Sequence, residues 1–208
     1  MSELMTVMAI DIRKSTELMQ KAKNPEKYAK FIKELINELI KIVEKYHGIF
    51  DNFTGDGILA YFLTSDLKKE GILNCCLAAQ ECHDFFNCIY KEHIDDFDVA
   101  LDTKLGIGID YGDVVEINLT EKSSTIIIGN PVVYACRLSN APAGKTYLNM
   151  PAYKEICKDK HKIYLKEIKM HIKNEGTIIV YELERIEFEK RAKIVHDNLW
   201  NDTICKIC

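Results

Sequence analysis

The sequence predicts an α+β fold in which helices cover a mostly antiparallel sheet. Three observations carry this. Short apolar runs of strand length are interspersed with two long segments of helical period. Glycine-centred triplets, Gly55-Asp56-Gly57 and Tyr111-Gly112-Asp113, interrupt strand-like stretches as hairpin turns do. The element order, strand, helix, hairpin, helix, long hairpin, helix, strands, sets strand pairs side by side rather than alternating each strand with a helix.

Residues 4–10 (LMTVMAI) read as a buried strand ending at Asp11. A polar stretch, Arg13 to Asn24, leads to Pro25, which suits the first turn of a helix. Phe31, Leu35, Ile36, Leu39, Ile40 and Val43 recur at helical spacing, so residues 26–46 form an amphipathic helix that Gly48 ends. Residues 48–62 are two strands around Gly55-Asp56-Gly57. Residues 67–90 are helical through Ile72, Cys76, Ala79, Phe86 and Ile89. Residues 99–118 read as two strands around Tyr111-Gly112-Asp113, and Thr125–Ile128 as a further one. Gly129-Asn130-Pro131 opens a helix to about Asn140. Residues 145–149, 162–171 and 177–184 are strand-like, and the tail from 186 is charged and helix-prone. The division expected is a domain over 1–185 and a tail over 186–208.

At 208 residues and 47% hydrophobic content, the chain has enough apolar material for one core. A net charge of -4, from 28 basic and 32 acidic residues, argues against a nucleic-acid binder, which carries a basic face. No window approaches the ~18 apolar residues of a membrane span. The opening MSELMTVMAIDIRKST lacks the basic start and small-residue cleavage site of a signal peptide. The expectation is a cytoplasmic protein with reduced thiols. Cys75, Cys76, Cys82 and Cys88 fall in a helical apolar pattern and read as core. Cys205-Lys-Ile-Cys208 is a lone pair, where structural zinc wants two.

Two carboxylates stand out. Asp11 ends the first strand and Asp56 sits in a glycine-flanked turn. If the hairpin pairs beside the first strand, both reach one sheet edge, where paired carboxylates suit Mg²⁺ together with substrate phosphates. Taken singly, Asp56 is also an ordinary turn residue and Asp11 an ordinary strand-end cap. After Asp11, the run Ile12-Arg13-Lys14-Ser15-Thr16 exposes backbone N–H groups at a strand-to-helix turn, which suits phosphate oxygens or, equally, a plain helix cap.

Four motifs then occur in order: Asp-Ile-x-x-Ser-Thr from Asp11, Gly-Asp-Gly at 55–57, Leu-Gly-Ile-Gly-Ile-x-x-Gly-x-Val from Leu105, and Gly-x-x-Val-x-x-Ala-x-Arg-Leu from Gly129. Together they resemble the catalytic domain of class III nucleotide cyclases over roughly residues 4–185. The resemblance implies a ferredoxin-like core and a homodimer with composite active sites. It implies two divalent metal ions, Mg²⁺ or Mn²⁺, held by Asp11, Asp56 and the carbonyl of Ile12. Residues 12–16, Ile12, Arg13, Lys14, Ser15 and Thr16, would wrap the triphosphate. Arg137, from the opposite protomer, would meet charge developing on phosphorus. Lys145 falls where the family places a triphosphate lysine.

The chain departs from the family at four positions. Asn52 stands at the purine-reading lysine, Ile126 at its acidic partner, Val133 at the ribose-orienting asparagine, and Lys14 at a glycine of the first motif. Metal and phosphate residues are retained while the adenine reader is not. This combination resembles the Pycsar pyrimidine cyclases of bacterial anti-phage defence, which make cyclic UMP or cyclic CMP as an alarm signal. Asn52 offers both a donor and an acceptor to a pyrimidine edge. UTP is favoured and CTP possible, with a separate effector reading the product and no membrane or nucleic-acid partner. Phe50 and Phe53 are candidates to stack on the base. Three other functions fit the same residues: an adenylate cyclase with an unusual base pocket, a catalytically silent cyclase-like module, for which Val133 argues, and a Mg²⁺-dependent nucleotide-binding domain without cyclisation.

Overall fold

A computed structural model describes residues 2–64, 70–118, 125–173 and 175–187. In chain order the elements are β1 (Ser2–Ile12), α1 (Ser15–Lys21), α2 (Pro25–Lys45), β2 (Ile49–Phe53), β3 (Ile58–Leu63), α3 (Gly71–Glu92), β4 (Leu105–Asn118), β5 (Thr125–Ile128), α4 (Asn130–Leu138), β6 (Lys145–Leu148), α5 (Met150–Ile156), β7 (Lys162–Ile172) and β8 (Gly176–Glu187). A single 3-10 turn, Ile94–Asp96, follows α3. The strands form one sheet in the order β2-β3-β1-β4-β6-β8-β7, with β5 paired to β4. All described pairings are antiparallel except β4 with β6. This is the α+β architecture expected from the sequence.

Strand alternation sorts β1 into two faces. Met8, Ile10 and Ile12 join Ile58, Ala60, Phe62, Leu105, Ile107 and Ile109 in the main core, covered by Phe31, Leu35 and Leu39 of α2 and by α3. Met5, Val7 and Ala9 face the other way, with Leu59, Tyr61, Val114 and Ile127, under Ala135 of α4. Helices therefore lie on both faces, where the sequence suggested one. Gly106 and Gly108 permit this: a Cβ at either would run into backbone of residues 135–141 in and after α4.

Several boundaries differ from the sequence reading. Residues 105–118 are one continuous strand, not two. Tyr111, Gly112 and Asp113 pair with Thr6, Met5 and Leu4, and that ladder outweighs their turn preference. Helix α1 begins at the strand-to-helix turn expected after Asp11, with Lys14 rather than Ser15 or Thr16 at its N-cap, and α5 falls where the sequence predicts no helix. The left-handed residue after α2 is His47, with φ 62, while a Cβ on Gly48 would collide with Phe62 and Val43. Residues 186 and 187 continue β8 rather than opening a tail. Residues 67–69 of the expected second long helix, residues 188–208 and the Cys205–Cys208 pair lie outside the described residues. Cys75, Cys76 and Cys82 are buried core thiols, and burial pushes them up. Among the described residues, no helix is long and apolar enough to cross a membrane.

Candidate active site

Asp11 occupies the last turn-ward position of β1 on the α4 face. The β1–β3 register ends at Ile10 opposite Ile58, so the Gly55-Asp56-Gly57 turn lies just beyond, beside Asp11 and Ile12. Gly57 makes the approach possible, since a Cβ there would strike the Ile10 carbonyl oxygen. Burial, and then the negative charge of Asp56, push the Asp11 carboxyl above its ordinary range; Arg13 works against both. The Arg13 guanidinium donates to Asp11 Oδ2 at 2.7 Å and to Asn140 Oδ1 at 3.2 Å. Asp56 Oδ2 is buried and has no hydrogen-bond partner among the described residues.

A buried carboxylate oxygen without a donor, next to a second carboxylate, is costly unless a cation joins them. The donor set therefore fits a divalent metal: Asp11, Asp56 and the Ile12 carbonyl would hold it. The described residues contain no group of three or more metal-binding side chains. Two carboxylates are nevertheless what Mg²⁺ takes when phosphates complete its shell.

Arg13 N–H donates to the Lys104 carbonyl at 2.9 Å, which turns the chain out of β1 into α1. Lys14 is the N-cap of α1, with φ 60 and ψ 28, and no side chain caps the helix. The left-handed conformation explains why a glycine suits this position in the family the sequence resembles. The first-turn N–H groups of Ser15 and Thr16 have no intrahelical acceptor.

Lys145 lies on the same face and in the same row: Asp11 pairs with Gly106, and Gly106 with Lys145. Two strand spacings separate them, roughly 10 Å. The Lys145 ammonium is held by Glu182 of β8 at 2.5 Å, which raises its pKa. Arg137 of α4 is ion-paired with Glu175 and lies over the Tyr134 ring at 5.6 Å; the Tyr134 hydroxyl donates to Glu175 at 2.8 Å. Thus Asp11, Ile12, Arg13 and Asp56 converge in one chain, whereas Arg137 is engaged elsewhere on the same face.

Asn52 pairs with Leu59, on the α4 face, and its side-chain oxygen accepts the Phe53 N–H at 2.8 Å. Ile126 lies in β5, half-buried. Their strands are not paired with each other, but they are linked beside both residues, where Asp51 Oδ1 accepts the Ile127 N–H at 3.1 Å. Phe50 packs against the main core and Phe53 is 54% exposed, their rings 4.9 Å apart. Sequence reasoning missed Asp51, Asn140, Glu175 and Glu182. Only Asp51 left a local signal: Phe50 and Phe53, three apart, break the period of a regular strand.

With the geometry in place, comparison with known proteins gives the family. The pattern of the adenylate and guanylate cyclase catalytic domain matches residues 1–185. The chain belongs to that family, the class III nucleotide cyclases. Among curated proteins it is similar to a cytidylate cyclase from Staphylococcus aureus, 25% identical over 198 residues, or 87% of this chain. The match spans 46% of that relative's length. Among solved structures it resembles the adenylyl cyclase CyaB from P. aeruginosa, with a TM-score of 0.76 and 21% identity, covering 92% of this chain and 97% of the other. It also resembles a dimeric guanylyl cyclase domain of the RhoGC fusion protein from the fungus Blastocladiella emersonii, with a TM-score of 0.71 and 18% identity, covering 89% and 98%. These likenesses confirm the α+β fold.

Proposed function

We propose that this class III cyclase acts on a pyrimidine ribonucleoside triphosphate, forming the 3′,5′-cyclic monophosphate and pyrophosphate. The observation that carries the reading is an intact two-carboxylate edge combined with uncharged residues, Asn52 and Ile126, at the base-reading positions. A neutral amide and an aliphatic side chain cannot reproduce the charged pair that reads adenine. With its oxygen on the Phe53 N–H, Asn52 presents its NH₂ to the base, a donor that suits the O2 acceptor shared by cytosine and uracil. The sequence favours UTP, whereas the similarity to a cytidylate cyclase supports the pyrimidine class and brings CTP to the front.

In the reaction the ribose 3′-oxygen bonds to the α-phosphorus and the bridge to the β-phosphate breaks. A divalent cation bound at Asp11 and Asp56 would lower the pKa of the 3′-hydroxyl and neutralise the triphosphate. Arg13 holds the Asp11 carboxylate in place. The N–H groups of Ser15 and Thr16, with the Lys14 ammonium, receive phosphate oxygens. Lys145 exchanges Glu182 for the triphosphate. Arg137 presents the donors Glu175 leaves free to a phosphoryl group on a second protomer. Exposed Val115, Ile117 and Ile128 on the β4–β5 arm, and Val133 on α4, supply apolar surface that a second copy would cover. The cyclic product would serve as a signal in anti-phage defence, read by a separate effector, as the resemblance to defence cyclases suggests.

The test is a competition among the four ribonucleotides at equal concentration, with Mg²⁺ or Mn²⁺ and product identification by mass. Predominant cyclic CMP or cyclic UMP is expected. Predominant cyclic AMP or cyclic GMP would overturn the base assignment alone. A second reading, a catalytically silent module, is favoured by Val133, 46% exposed at the ribose-orienting position. Absence of any cyclic product with any base and either metal would favour it.

A further inference from the structure

We infer that Asp51 is a positioning residue for base selection, one that sets how far β5 stands from β2. The inference rests on positions 52 and 126 meeting the base. The pairing of β2 with β3 runs from Phe50 opposite Ala60 directly to Asn52 opposite Leu59. Asp51 is therefore the extra residue of a β-bulge, outside the ladder, and such bulges re-aim a side chain. In a regular strand Phe50 and Phe53 would point to opposite faces. Here both lie on the face covered by α2 and α3, against Ala60 and Ile58, with rings 4.9 Å apart. That aromatic pair braces the bulge from one side while Asp51 leaves on the other.

The Asp51 carboxylate then reaches a backbone group rather than a side chain: Oδ1 accepts the Ile127 N–H at 3.1 Å. Strand β5 has four residues, and Ile127 is its buried anchor, packed with Met5, Val7, Leu59 and Tyr61. A second clasp lies beside it. The Tyr61 hydroxyl reaches across β1 to Glu116 Oε1 at 3.2 Å, so the outer half of β4 is drawn over the same face. Asp51 is the part of this assembly that touches both reading strands. It is adjacent in sequence to Asn52 and bonded to the neighbour of Ile126. Moving its acceptor moves one wall of the base pocket against the other, and leaves the Asp11–Asp56 edge untouched.

The experiment measures kcat/KM for all four nucleotides in the full chain and in Asp51→Ala, Asp51→Glu and Asp51→Asn, with Asn52→Ala alongside. Asp51→Ala should compress the ratio between preferred and disfavoured bases by about fivefold or more, the worth of one hydrogen bond. Asp51→Glu, which keeps an acceptor on a longer arm, should shift the ratio too. Asp51→Asn should restore it, because the amide oxygen accepts the same N–H. A merely structural role would lower all four rates together and leave the ratios alone. If Asp51→Ala does not fold, Asp51→Glu against Asp51→Asn carries the comparison. Parental ratios in Asp51→Ala or Asp51→Glu, with ratios altered in Asn52→Ala, would overturn this inference and spare the base-reading assignment. Unaltered ratios in Asn52→Ala as well would overturn both.

Discussion

Asp110 gives a pH-dependent test of how the sheet is packed. It lies in β4, 2% exposed, and its carboxylate accepts the Tyr111 N–H at 2.8 Å and the Asn149 amide at 3.2 Å. Burial outweighs those two bonds and pushes the carboxyl from 3.8 up to about 6. At 1.36 kcal/mol per pKa unit, that shift corresponds to about 3 kcal/mol. The folded state holds the proton more tightly than the unfolded chain. The group therefore favours folding below about pH 4, and that contribution is lost as pH rises to about 6. Asp110→Asn removes the ionisation and sets two amides against each other at Asn149, which costs about 1 kcal/mol. The variant should be about 0.5 kcal/mol less stable than the parent near pH 4 and about 2 kcal/mol more stable at pH 7. Urea unfolding of both proteins at pH 4, 5, 6 and 7, followed by far-UV circular dichroism, gives the difference directly. A stability difference that stays constant across this range would refute the reasoning, because the carboxyl would then titrate at its ordinary pH.

Asp11→Ala and Asp56→Ala should each abolish turnover without lowering the melting temperature, since each relieves repulsion within the carboxylate pair; a double variant cyclising near the parental rate would remove both residues from the site. Mixing Asp56→Ala protomers with Arg137→Ala protomers should restore activity, because one of the two sites in each hybrid dimer is whole; a mixture that demonstrably exchanges subunits yet stays inactive would place both residues in one chain. Lys14→Gly should leave stability equal or raise it by up to about 1 kcal/mol, because it relieves a left-handed side chain. The same change should raise KM for the triphosphate through loss of the ammonium; melting curves and initial rates separate the two effects.

The long helices, the hairpin over residues 48–62 and the carboxylate pair were legible because each is written in local pattern: heptad-like apolar spacing, a glycine-flanked turn, an apolar run ending in Asp11. What escaped was decided at a distance. Helix α1 has seven residues and an N-cap, Lys14, with no capping side chain, so beyond the strand-to-helix turn its extent is not written locally. Helix α5 did carry a start signal, Asn149 capping Met150 with Pro151 in the first turn, hidden between two strands. The break expected at Tyr111-Gly112-Asp113 is erased by pairing with β1, which local sequence does not reveal. The partners of Arg137 and Lys145 come from the last hairpin and β8, remote in sequence, so the residues were visible and their restraints were not.

Strand β1 has a consequence for how this chain reaches its fold. It is flanked on both edges, by β3 and by β4, and its β4 partners are far away: Ile12 pairs with Leu105 and Ser2 with Val115. During synthesis β1 is thus an apolar ribbon whose second edge stays open until Leu105–Val115 has been made. Non-local pairing of this kind makes folding slow and concentrates the aggregation hazard in the nascent chain. The residues ending in Asp11 are only held in line once Leu105–Val115 has docked. Assembly of the Asp11–Asp56 edge is therefore a late event in folding, and a fragment that stops before β4 would carry both carboxylates without the strand that holds β1 in line.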